Sequence, residues 1–170
     1  MSSSRGGRGV AGGTLAVVVA LVLTATPPVP ARASERPVSL FAGYRVVLSP
    51  SVPLTDELTT LSYTLLGSAV IRSPGKPDLL FTLRCVGKET YKDSNTVAGD
   101  HGCVFIDKDG DQLRTSLDAA GPKFTFTLKG GTGKWRTASG RLAGTSYQTP
   151  HDVQGELLGL ALGEGVLDSP

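Results

Sequence analysis

The residues of this chain best suited to chemistry are a run of acids, a glycine-rich turn and two histidines. Asp107-Lys108-Asp109-Gly110-Asp111 sets carboxylates at alternate positions, which can converge on a hard cation such as Ca²⁺. A full calcium loop also wants Gly directly after the third acid and a Glu at its end. Gln112 and Asp118 stand at those places. The same residues make a hairpin turn in which Gly110 takes the left-handed conformation and the acids stay solvated. The hairpin is the expectation, and Asp107, Asp109 and Asp111 are the ligands to test for Ca²⁺. Gly130-Gly131-Thr132-Gly133-Lys134 superficially matches a phosphate loop, but Leu128 and Trp135 occupy positions that need Gly and Ser or Thr. A turn closing a hairpin, with Trp135 packed as a core or end plug, accounts for this segment. His151-Asp152 pairs a base with an acid, yet adjacent side chains on a strand point to opposite faces. No Gly-x-Ser-x-Gly is present. His101 reads as a surface or loop residue beside Cys103. The candidates for a shared pocket are Trp135, Tyr147 and His151, with Ser146 nearby, and no residue is assigned a catalytic role.

These residues have to be positioned by strands. In 123–129, Phe124, Phe126 and Leu128 fall on one side and Thr125 and Thr127 on the other, which is a half-buried strand. Residues 79–88 alternate likewise, with Leu79, Phe81, Leu83 and Cys85 on one face. Further strands are expected at 44–48, 58–71, 103–107, 112–117, 140–149 and 153–166. A helical reading of 55–66 stays open, because short apolar runs are ambiguous. Breakers separate these runs at 73–77, 94–99, 119–122 and 130–133. About eight short strands joined by hairpin-like turns indicate an antiparallel sandwich or a closed barrel. The barrel is favoured, since closure removes exposed edges and strand glycines suit tight curvature. Residues 34–55, interrupted at Pro37, Gly43, Pro50 and Pro53, read as an N-terminal arm or a first strand. The barrel domain is placed at 56–170.

Residues 1–33 are of another kind. Arg5 and Arg8 precede an apolar run from Thr14 to Ala25, and Ala31-Arg32-Ala33 closes the segment. This is the layout of a secretory signal peptide, and the run is too short for a spanning helix of roughly 20 residues. Cleavage after Ala33 leaves a chain of about 137 residues, secreted or extracytoplasmic, with no stable membrane anchor. It also removes three arginines and no acid, so the net charge of +2 falls to about −1. Basic residues are scattered and aromatics are 6% of the chain, so no nucleic-acid partner is expected. In an oxidising compartment Cys85 and Cys103 form a disulfide by default.

The order of features carries a resemblance. Cys85, then His101-Gly102-Cys103, then the acidic turn at 107–111, then FTFTLKGGTGKWRTASGRLAGT at 124–145, resembles uncharacterised bacterial exported proteins. Those are similar to the allene oxide cyclase and dirigent type of β-barrel, and the match covers roughly 79–147. The fold expected is all-β: one antiparallel, roughly eight-stranded barrel with one disulfide and no cofactor. The expected role is to bind a small hydrophobic molecule in the barrel interior or mouth. The resemblance implies an alternative, a cofactor-independent isomerase or cyclase, with no catalytic residue carried over. A side-chain-filled barrel with a structural or envelope role is the third.

Overall fold

The computed structural model describes residues 35–93, 95–150 and 153–169. The expected leader lies outside them. Nine strands follow in chain order: β1 (Arg36–Leu48), β2 (Val52–Pro53), β3 (Leu58–Arg72), β4 (Leu79–Lys92), β5 (Asn95–Asp107), β6 (Gln112–Ala120), β7 (Lys123–Gly131), β8 (Ser139–Pro150) and β9 (Glu156–Asp168). A single 3₁₀ turn, Gly133–Trp135, joins β7 to β8. Every pairing is antiparallel, in the order β1-β9-β8-β7-β6-β5-β4-β3, and β1 pairs with β3 to close the circle. The result is an eight-stranded barrel, with the two-residue β2 as a flank on β3. Closure gives every long strand two neighbours, although 95–101 of β5 run past the end of the β5–β6 ladder, which spans Gly102–Ile106.

Closure also explains where strands run past the expected limits. Residues 36–48 form a continuous strand held on both sides, because Ala42 faces Ala69 of β3 and Ala161 of β9. Pro37 falls next to the strand's first residue, where a missing N–H is tolerated. The helical reading of 55–66 gives way to strand from Leu58, since β1 and β4 offer partners to both edges of β3. Within the segment 94–99, read as a breaker, residues 95–99 instead contribute the start of β5. An irregularity between Thr90 and Tyr91 lets the ladder continue to Lys92 and Asn95. That extension puts His101 within a strand.

The interior is filled at one end and open at the other. The filled end carries the termini of the barrel and the β3–β4, β5–β6 and β7–β8 connections. Phe105 is fully buried, edge-on to Phe81 at 5.7 Å and to Phe126 at 5.3 Å between ring centroids. Trp135 caps this stack, 5.5 Å from Phe81. Its indole N–H donates to Asp107 Oδ2 at 2.8 Å. Below the cap, Leu40, Ile71, Leu83, Leu113, Leu128, Leu142 and Leu167 complete the packing. Cys85 and Cys103, paired in register, form the expected disulfide midway down the wall.

The acidic turn belongs to the cap. Gly110 has φ 84°, as the hairpin requires. Asp107 Oδ1 accepts the backbone N–H groups of Asp109 and Asp111 at 2.8 and 3.0 Å. The Lys134 ammonium lies 2.8 Å from Asp107 Oδ2 and 2.7 Å from Asp109 Oδ2. Burial acts to raise the Asp107 pKa, but the bonds from Lys134, Trp135 and the two backbone N–H groups outweigh it and hold it at about 2. A carboxylate with a depressed native pKa stabilises the fold above its unfolded value, 3.8, and loses that contribution as pH falls toward 2. The melting temperature should therefore drop through this window, and Asp107→Asn should flatten that part of the profile. Thermal melts of both proteins over the acid range test this, and equal slopes would refute it.

Candidate functional site

At the open end the inward side chains stop meeting across the barrel. A cup of about 360 Å³ remains, and its floor and apolar wall include Val46, Leu65, Leu83, Leu117, Phe124 and Phe126. Strand parity decides who faces it. Inward positions on β4 run Phe81, Leu83, Cys85, Gly87, Glu89 and Tyr91, so a strand that is apolar at the filled end becomes polar at the mouth. On β5 the inward run is His101, Cys103, Phe105, with His101 at 9% exposure. On β3 the matching residue is Tyr63.

These side chains form one connected polar arc. The Tyr63 hydroxyl is hydrogen-bonded to His101 Nδ1 at 2.9 Å. His101 Nε2 stands 3.8 Å from Glu89 Oε1, and the Tyr91 hydroxyl donates to Glu89 Oε2. Across the cup, Gln148 Nε2 donates to the Tyr44 hydroxyl at 3.4 Å. The arc needs glycine beside it. A Cβ at Gly87 would overlap the Tyr63 ring and lie 2.6 Å from His101 Nδ1, and one at Gly99 would overlap His101 Nε2.

Burial first, and then the Glu89 carboxylate, push the Tyr63 phenol up to about 12. Tyr91 reaches about 12 as well, through burial, its bond to Glu89 and that carboxylate's charge. Both phenols stay protonated near neutral pH and can act as hydrogen-bond donors. Tyr63, Glu89 and Tyr91 line the cup, and His101 supports Tyr63 and Glu89 from behind. The arrangement offers a guest two phenols and one carboxylate beside an apolar wall.

The pocket expected from sequence is not brought together. Trp135 is 3% exposed at the filled end, opposite the mouth. Tyr147 points outward from β8, 59% exposed and in register with Leu160, because the inward parity of that strand belongs to Leu142, Gly144, Ser146 and Gln148. His151 lies outside the described residues. Ser146 does line the cup. His101, read as a surface or loop residue, is buried instead. Asp107, Asp109 and Asp111 turn their oxygens to N–H and ammonium donors in the cap, and among the described residues no group of three or more His, Cys, Asp or Glu is arranged to hold a metal ion.

Glu89, Tyr91, Tyr63 and Tyr44 were missed as site residues. The signal was the parity of Cys85, which carries through Gly87 to Glu89 and Tyr91. No protein-family model and no curated protein matches this sequence.

Proposed function

We propose that this chain is an exported barrel that receives a small, mainly apolar molecule in its open end. The observation that carries the reading is the cup of about 360 Å³ left in a barrel otherwise filled with side chains. That volume is near the lower limit of the roughly 300–1,000 Å³ typical of small-molecule pockets. An apolar wall with a polar arc on one side suits a guest with a hydrocarbon body and one polar group. The alternative of a cofactor-independent isomerase or cyclase draws on the family resemblance and on Glu89 sharing a confined space with the Tyr63 and Tyr91 phenols. Such a site would act by orienting a reactive guest. The open volume counts against a purely structural barrel.

Native mass spectrometry of the protein recovered from its producing cell tests the reading. The expected spectrum shows a mass beginning near Ser34 plus a bound small molecule. Ala161→Phe, which adds a ring to the β9 side of the cup, should lower the occupied fraction. A barrel that is always bare and also fails to bind a neutral apolar dye would refute the receptor. A mass that retains residues 1–33 would refute cleavage after Ala33.

A further inference from the structure

We propose that the guest is a cation: an apolar molecule carrying a protonated amine, which Glu89 receives among the tyrosines of the cup. The inference rests on the receptor reading above and names the ligand class of that site.

The argument begins with charge. Of the described residues lining the cup, Glu89 alone bears a charged side chain, with neither Lys nor Arg among them. Its side chain is 19% exposed, so most of its hydration is already lost. The groups facing it are the Tyr91 hydroxyl, a neutral donor, and His101 Nε2 at 3.8 Å, beyond hydrogen-bond length but within ion-pair reach when the imidazole is protonated. A half-buried carboxylate with no Lys or Arg in the cup and only an imidazole within ion-pair reach leaves an electrostatic deficit that a bound ammonium would fill. The Asp107 carboxylate in the cap shows the contrast, since it has Lys134 at 2.8 Å as well as three N–H donors.

The surroundings favour the same sign. Tyr44, Tyr63, Tyr91, Phe124 and Phe126 all line this space. Aromatic rings carry negative faces, and cages of them recognise ammonium groups. An anionic guest would meet a like charge with no cation to offset it. The tail of an amine would run along Val46, Leu65 and Leu117.

Octylamine, 1-octanol and octanoate share one alkyl chain and differ in head group, so competing each against bound Nile red near neutral pH tests the proposal. Octylamine should bind about tenfold or more tighter than octanol, the increment of one charge-assisted bond. Octanoate should bind more weakly than octanol. Glu89→Gln should abolish the preference for octylamine over octanol, each measured against Nile red in the same variant. Octanol binding as tightly as octylamine in the wild-type protein, or octanoate binding tightest, would overturn the proposal without any variant. An amine preference that survives in Glu89→Gln would overturn the role of Glu89. If neither dye nor any octyl compound binds, the receptor itself fails. If dye and octanol bind without preference for the amine, only the cation is lost.

Discussion

Trp135→Ala should cost the barrel roughly 3–5 kcal/mol, the usual range for emptying a buried large aromatic site. The side chain is 3% exposed and stacks on Phe81, which in turn touches Phe105. Its removal opens the filled end to water and takes one donor from Asp107. Because domains are stable by only about 5–15 kcal/mol, a loss of this size is severe. Trp135→Phe separates the two contributions. It keeps an aromatic body against Phe81 and forfeits the N–H bond, while Lys134 and two backbone N–H groups still hold Asp107. The loss should then fall to about 1–2 kcal/mol. Urea unfolding followed by far-ultraviolet circular dichroism measures both. An alanine variant within about 1 kcal/mol of wild type would show that Trp135 is not structural.

The double variant Cys85→Ala/Cys103→Ala should lose about 3 kcal/mol and melt roughly 10 °C lower, as the 18-residue separation implies on the chain-entropy account. The two residues face one another across β4 and β5 with Cα atoms 4.0 Å apart, and both are almost fully buried. Their place matters as much as their bond. Along β5 the inward order is His101, Cys103, Phe105, so the disulfide stands between the polar arc and the aromatic stack. Alanine there should loosen the arc as well as the core, and the double variant should bind an apolar dye more weakly than the oxidised protein. Scanning calorimetry of the oxidised wild type against the variant decides the first point. A midpoint within a few degrees of wild type would mean that strand closure alone holds this wall.

Legibility differed by element. Strands such as Lys123–Gly131 were plain, because Phe124, Phe126 and Leu128 alternate with threonine and lysine and one side of the strand is wet. The ends of β4 and β5 were obscure. Glu89 and Tyr91 are polar though inward-facing, and 94–99 carries Ser, Asn and Gly in turn-like company. Polarity signals solvent in a sequence, whereas here it lines a cup. Tyr147 misled in the opposite direction: an aromatic beside a serine suggested a pocket, yet its parity sends it outside. Parity counted from Leu142 would have shown this.

Local chemistry sufficed for the all-β class, the antiparallel succession of strands, the hairpin at Gly110 and the cysteine pair, while closure into a barrel came from the β1–β3 pairing. Alternation, turn residues and the number of cysteines are properties of neighbours in the chain. Which residues share the cup was decided by register and closure. Tyr63, Glu89 and His101 come from three strands, and they meet because β3 and β5 pair on either side of β4. The depth of the cup was likewise settled by which end the large aromatics fill. A side chain's parity is written along one strand, but its partners depend on how eight strands align, and that alignment is fixed only when the barrel closes.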